Sequence, residues 1–208
     1  MEKKEYLANP TGASALSFWK TCNFNNPAHI KVLNENEINP SLLETHTDEV
    51  YFKLVHYLED IDEQFKSDEF IFVKASTEEF VNYINSSYEE EGLTVNELES
   101  YKSRPVYDED LWICVYDNIN HAIAATGIAE FDREIKEGYL DWIQVSEEYR
   151  GQRLGKTIVY ELLKRLKEKA SFVTVSGRVN NKTQPEKLYE SCGFESKVLW
   201  HILTEKNQ

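Results

Sequence analysis

The chain has 208 residues, 41% of them hydrophobic and 29% charged, which is the composition of one ordinary globular domain. A chain this long buries a core without disulfide or metal staples. Its 37 acidic residues outnumber 23 basic ones and leave a net charge of −14, which argues against a nucleic-acid binder or a protein held on anionic lipid, since both need a positive field. Cys22, Cys114 and Cys192 form an odd set with no paired short spacing. Neither a disulfide framework nor a zinc ribbon is expected, and a reducing compartment is the default. The opening MEKKEYLANP has no apolar run after its charges, and no stretch approaches ~20 apolar residues. The expectation is a soluble, cytoplasmic protein with no signal peptide and no membrane span.

Residues 1–40 are irregular, with turn-favouring Asn9-Pro10, Asn26-Pro27 and Asn39-Pro40. An apolar-aromatic stretch follows at 50–58, and Phe70, Ile71, Phe72 and Val73 read as a buried strand. Ser76 or Thr77 caps a helix whose Phe80, Tyr83, Ile84 and Tyr88 share a face, and Gly92 ends it. Thr94 with Glu97 gives a capping-box signal for a second short helix. Residues 111–116, 121–129 and 139–145 read as three strands, separated by a turn at 117–120 and a charged segment at 131–138. That is an antiparallel meander. A long helix runs from about Gly151 to Ala170, with Leu154, Ile158, Val159, Leu162, Leu163 and Leu166 in a stripe at 3.6-residue spacing. Another strand covers 172–175. Thr183 and Glu186 predict a capping box, with Pro185 tolerated in the first turn of a helix that carries Leu188 and Tyr189 and stops at Gly193. A last strand covers 197–204. The order is α+β.

The junction at residues 140–156 carries the chemistry. A strand enters a loop with Gly151 and Gly155 that opens the long helix. The first turn of a helix presents unpaired N–H groups and the positive end of its dipole. Glycines let a ligand approach the backbone, and successive N–H groups cradle phosphate oxygens. Arg150, Arg153 and Lys156 add charge there. Residues 150–170 hold seven basic residues against two acidic ones, a net +5 on a chain whose remainder carries −19. Positive charge gathered where a helix begins marks an anion site, and the plainer reading is a glycine turn beside a solvated basic face. Neither GxxxxGK[ST] nor GxGxxG is present, so ATP-dependent transfer and dinucleotide hydride chemistry lack their signatures.

At these residues the chain resembles the GNAT superfamily of N-acetyltransferases. Arg150-Gly-Gln-Arg-Leu-Gly155 is similar to the family's acyl-coenzyme A signature, Arg/Gln-x-x-Gly-x-Gly/Ala, with Arg153 where the first glycine usually lies. The side chain of Arg153 must then point outward. Pro185-Glu-Lys-Leu-Tyr-Glu-Ser-Cys-Gly-Phe194 is similar to Ala-x-x-Leu-Tyr-x-x-x-Gly-Phe. Pro185 replaces the alanine there, and Asn181 sits one residue earlier than an asparagine often found there. The resemblance covers about residues 70–204. It implies the GNAT fold, a central, mixed, mostly antiparallel twisted sheet with a splayed strand pair, flanked by helices. The acetyltransferase domain is expected over residues 67–208. Residues 1–66 form an N-terminal extension packed on that core, similar to the amino-terminal region of a group of bacterial GNAT proteins.

The resemblance also implies acetyl-CoA as cosubstrate and no metal. The backbone of Ile143 and Val145 would pair with the pantetheine arm, and the Val145 N–H would polarise the thioester carbonyl. The loop Arg150, Gly151, Gln152, Arg153, Leu154, Gly155 and Lys156 would hold the pyrophosphate, with Asn181 on the arm and Lys187 on a phosphate. Tyr189 matches the family's usual general acid. A phenol of ordinary pKa ~10 suits a departing thiolate whose thiol resembles cysteine at ~8.5. The plainer reading of Tyr189 is a half-buried packing residue. For the amine's proton the candidates are Asp141, Glu130 or a water relay. The Asp141-Trp142 pair resembles the family's Glu-Trp and favours Asp141, while a surface charge is the plain reading of either carboxylate. Strand alternation puts Asp141, Ile143 and Val145 on one face and Trp142 and Gln144 on the other.

The five histidines show no paired metal spacing, no GxSxG elbow is present, and Cys192 reads as a small buried thiol. The expected function is an N-acetyltransferase moving an acetyl group to a primary amine by direct attack in a ternary complex. The acceptor is a small-molecule amine or a lysine or N-terminal amine, with no nucleic-acid or membrane partner, in a monomer or homodimer. The alternative is a GNAT-fold module that holds CoA without turnover. A purely structural acidic domain leaves the +5 segment unexplained.

Overall fold

The structure of the chain, a computed structural model, describes residues 1–61, 69–86 and 92–206. In chain order its elements begin with α1 (Lys3–Ala8), α2 (Pro10–Ala13), α3 (Phe18–Asn23), β1 (Ile30–Asn34), α4 (Leu42–Thr45) and β2 (His46–His56). Then come β3 (Phe70–Val73), α5 (Thr77–Ser86), α6 (Val95–Tyr101), β4 (Trp112–Asp117), β5 (Ala122–Asp132) and β6 (Glu137–Val145). The chain closes with α7 (Leu154–Lys167), β7 (Phe172–Arg178), α8 (Pro185–Glu190) and β8 (Glu195–Glu205). The α+β character read from the sequence is what these elements show. Contacts group them into two compact units, Met1–Tyr57 with Thr174–Gln208, and Leu58–Val173. Among the described residues no helix is long and apolar enough to cross a membrane.

In the Leu58–Val173 unit the strands run in the order β6-β5-β4-β3, each antiparallel to its neighbour, as the meander reading requires. Successive residues of a strand face opposite sides, and β5 shows what each side packs. A Cβ on Gly127 would lie 2.4 Å from Ile158 Cγ2, so this face of β5 lies directly under α7. Ile128 points the other way, into a cluster with Phe80, Val81, Ile84, Leu98, Trp112 and Cys114 that seats α5 and α6. The predicted α7 stripe is buried throughout, from Leu154 to Leu166. The Ser76 and Thr94 caps both form. Ser76 Oγ accepts from the Glu79 N–H, and Thr94 and Glu97 make a reciprocal capping box. Tyr88, placed by its spacing on the α5 face, lies outside the described residues.

The strand at 70–73 differs from its reading. Phe70 is buried, but Ile71 and Phe72 are 41% and 37% exposed, because among the described residues β3 ends the strand order and pairs with β4 alone. An apolar run of four reads the same at the edge of a sheet as at its centre.

In the other unit β8 lies between β1 and β2, antiparallel to each. The stretch that reads as irregular, residues 1–40, holds three short α-helices, a strand and a 3-10 turn at Glu35–Glu37. Asn9 caps α2 by accepting the Gly12 N–H at 3.0 Å, with Pro10 in the first helical position, where its missing N–H costs nothing. These helices are tied to β2 by Lys53, whose side chain is wholly buried. Its Nζ donates to Tyr6 Oη (2.9 Å), the Ser14 carbonyl (2.9 Å) and the Leu16 carbonyl (2.6 Å). Three oxygens therefore satisfy an ammonium that burial alone would penalise heavily.

Candidate functional site

The β5–β6 ladder contains a bulge at the candidate residues. Gly127 faces Ile143 and Ala129 faces Leu140, so Asp141 and Trp142 together stand opposite Ile128. Directly opposed residues share a face, so Leu140 and Ile143, three positions apart, both look toward α7. The alternation expected along this strand fails between them. The physical reason is the extra residue, and bulges of this kind re-aim side chains and recur beside active sites. Trp142 packs against the cluster under α5 and α6, while Asp141 sits half-buried at the bulge.

Past Val145 the chain makes a 3-10 turn, Glu147–Tyr149, and then the Gly-rich loop. Gly151 has φ +83° with no heavy atom within 4 Å of where a Cβ would stand. Arg153, in the position of the signature's glycine, has φ +66°, the left-handed backbone that glycine adopts freely. The departure in sequence thus leaves the loop conformation in place, and the Arg153 side chain is exposed as expected. Arg153, at the N-cap position of α7, makes no side-chain cap, and the helix's first turn has no acidic residue. Arg150 and Gln152 are exposed, Gly155 and Lys156 are half-buried, and buried Leu154 anchors the turn.

Two tyrosine hydroxyls hold this connection. Tyr83, on α5, accepts the Ser146 N–H at 2.6 Å and donates to the Ala124 carbonyl. Tyr149 Oη donates to Asp117 Oδ2 at 2.9 Å. Asp117 also closes the β4–β5 turn, accepting from the N–H groups of Ile119 (2.7 Å) and Asn120 (3.0 Å) and from Asn120 Nδ2 (2.6 Å). The Asn120 backbone bond leads in holding the Asp117 carboxyl down at about 2, against burial, with the Asn120 side chain and Tyr149 adding to it. Burial raises the Tyr83 phenol above its ordinary value, and burial followed by the Asp117 carboxylate does the same to Tyr149.

The two carboxylate candidates differ in surroundings. Glu130, on β5, is 4% exposed, and its Oε1 is 2.7 Å from Arg104 Nη1. The Arg104 guanidinium in turn stacks 3.2 Å from the centre of the Tyr101 ring. Glu130 thus belongs to a buried ion pair, and Asp141 to the half-open bulge.

The candidates Asn181, Lys187 and Tyr189 lie in the other unit. Tyr189, on α8, is 5% exposed, its ring between Phe52 (6.2 Å between centres) and Phe194 (5.6 Å). Lys187 is exposed. Asn181 Oδ1 accepts from both the N–H and the hydroxyl of Thr183. The capping box expected of Thr183 and Glu186 is therefore absent. Gln184 (φ +51°) precedes the helix instead, Pro185 begins it, and Glu186 pairs with Lys197 at 2.7 Å.

Comparison with known families decides the class. The model of the Acetyltransferase (GNAT) family matches residues 77–194, more than half of the chain. The chain belongs to the GNAT acetyltransferase family. Solved structures agree on the fold. A GCN5-related N-acetyltransferase from Sphaerobacter thermophilus superposes with TM-score 0.66 at 14% identity, over 85% of this chain and 60% of that one. A GNAT-family acetyltransferase from Colwellia psychrerythraea gives 0.59 at 16%, over 84% and 64%. A chain in the crystal structure of the NatC complex bound to Gag peptide and CoA gives 0.53 at 15%, over 67% and 99%. The first two are thus longer proteins, of which this chain spans less than two thirds. No curated protein sequence matches it.

As a GNAT chain, this one has features that suit a pyrophosphate. Arg153 places no side-chain cap on the α7 N-terminus, Gly151 faces open space, and three cations stand in or beside the turn. Tyr83, Tyr149 and Asp117 did not emerge as site residues from the sequence. Tyr83 reads as one more core position of α5, and only the adjacency of Tyr149 to Arg150 hints at its place.

Proposed function

We propose that this GNAT chain is an acetyl-CoA-dependent N-acetyltransferase acting on a primary amine. The reading is supported above all by the start of α7, where Gly151 is open and Arg153, which makes no side-chain cap, keeps a glycine-like backbone within the family's signature. The fold shared with a NatC chain in a CoA-bound complex adds support. When bound, acetyl-CoA supplies an activated thioester.

The N–H groups of residues 151–156 take the pyrophosphate oxygens, and Arg150, Arg153 and Lys156 neutralise its charge. The backbone of Ile143 and Val145 aligns the pantetheine arm, with the Val145 N–H directed to the thioester carbonyl. We assign the amine's proton to Asp141, directly or through water, on the Asp-Trp pair and its half-buried place at the bulge, ahead of the buried Glu130. The role of Tyr189 as proton donor to the leaving thiolate rests on the Leu-Tyr-x-x-x-Gly-Phe motif and on phenol chemistry. Asn181 and Lys187 are secondary contacts to the arm and a phosphate. The −19 carried outside residues 150–170 favours a cationic acceptor, an amine or a lysine side chain.

The buried ring of Tyr189 favours a second reading, a CoA-holding module without turnover. Calorimetric titration with acetyl-CoA tests the cofactor site. Near-stoichiometric binding is expected, weakened roughly tenfold or more by Arg153→Glu or Lys156→Glu. Absence of binding at millimolar ligand refutes both readings. Steady release of free thiol across a panel of amines separates the enzyme from the module.

A further inference from the structure

We infer that Tyr83 and Tyr149 are positioning residues for the phosphate-binding connection, fixing its departure from the sheet and its turn so that the N–H groups of residues 151–156 converge in one geometry. The inference rests on the acetyl-CoA reading above.

The regular β5–β6 register ends at Ala125 and Val145. One residue further, the Ser146 N–H is 3.4 Å from the Ala124 carbonyl, beyond the range of a full-strength bond. The Tyr83 hydroxyl bridges that gap, accepting from Ser146 at 2.6 Å and donating to Ala124. A helix side chain thereby supplies one more rung of the ladder, at the point where the strand pair would otherwise fray. A phenol of ordinary pKa ~10 is protonated at neutral pH, and burial raises this one further, so the donated half of the rung persists at physiological pH.

Three residues on, Tyr149 is fixed from another side. Its ring meets Phe70 edge to face at 6.1 Å, and its hydroxyl is held by Asp117. Asp117 cannot follow a moving loop, since its two oxygens also close the β4–β5 turn. The next residues, Arg150, Gly151, Gln152 and Arg153, are all exposed. The connection thus has an anchored half, residues 146–149, and an exposed half that depends on it for direction. A cradle of backbone N–H groups binds an anion well only when ordering it is already complete.

Tyr83→Phe and Tyr149→Phe test this, since each keeps the ring and removes one hydroxyl. Two quantities are read for each variant: the calorimetric Kd for acetyl-CoA, and amide hydrogen exchange in the free protein. The expected result is a roughly tenfold weaker Kd, the loss of one buried hydrogen bond, with faster exchange confined to residues 146–156. Unchanged Kd and exchange in both variants would overturn the inference. So would exchange rising throughout the Leu58–Val173 unit, because that pattern describes general packing. Failure of the unsubstituted protein to bind acetyl-CoA would instead remove the cofactor reading on which the inference stands.

Discussion

Replacing Gly127 by alanine probes the packing that carries α7. The added methyl would lie 2.4 Å from Ile158 Cγ2, 3.2 Å from Leu162 Cδ1 and 3.4 Å from Ile143 Cδ1. The last is an ordinary contact, and a leucine terminus yields by rotation. Ile158 does not, because a β-branched side chain in a helix has one strongly preferred χ1, so its Cγ2 moves only with the backbone. A shift of about 1 Å in α7 or β5 follows, and overpacking of this kind costs about 1–3 kcal/mol. Gly127 does not have positive φ, so alanine also gains about 0.4–1 kcal/mol from reduced freedom of the unfolded chain. The net loss expected is about 1–2 kcal/mol, or roughly 3–6 °C in Tm. Calorimetry of Gly127→Ala, Ile158→Ala and the double variant decides the cause. Ile158→Ala alone opens a cavity costing about 2–5 kcal/mol, which the new methyl then partly fills. The double variant should be at least about 1 kcal/mol more stable than the sum of the singles. Additivity within about 0.5 kcal/mol, or an undiminished Tm for Gly127→Ala, would refute the proposed clash.

Lys53→Met removes an ammonium from two buried oxygens and one half-buried one while keeping the stem, and should lower stability by about 2–4 kcal/mol in urea titration followed by circular dichroism. An unchanged midpoint would show that Lys53 does not hold the N-terminal helices. The Asp117 carboxyl lies at about 2 in the folded protein, below its ordinary 3.8, so folding favours its ionised form. Its contribution is complete above pH 3.8 and is lost as pH falls toward and through about 2. The stability difference between the wild type and Asp117→Asn should therefore narrow across that window, and a constant difference from neutral pH down to about 2 would contradict it.

What the sequence reveals and what it hides divide along a physical line. The stripe Leu154 to Leu166, the three-strand meander and the Thr94–Glu97 box are local patterns, each set by neighbours within a few residues, and each appears where expected. The signature at Arg150–Gly155 is local as well, and it is where we propose the pyrophosphate binds. The bulge at Asp141 leaves no trace in composition, because it exists only in the register against β5. The Thr183 box is pre-empted by Asn181, whose side-chain oxygen already takes the Thr183 N–H and hydroxyl. The rung made by Tyr83 joins residues 63 apart, and the Tyr149–Asp117 bond residues 32 apart. No periodicity encodes such pairs. The helices of residues 1–16 are likewise settled by a lysine some forty positions downstream.

The chain's order of synthesis meets an asymmetry in this architecture. The Leu58–Val173 unit is one continuous run of residues, whereas β1 and β2 find their shared neighbour only in β8. Ile30 pairs with Thr204, 174 positions later. While the chain emerges, the edges that β8 will cover stay open, and open edges invite pairing with other chains. The contiguous unit can close in the meantime. Cellular yield should therefore depend on how quickly β8 arrives after β2, even for variants whose finished fold is equally stable.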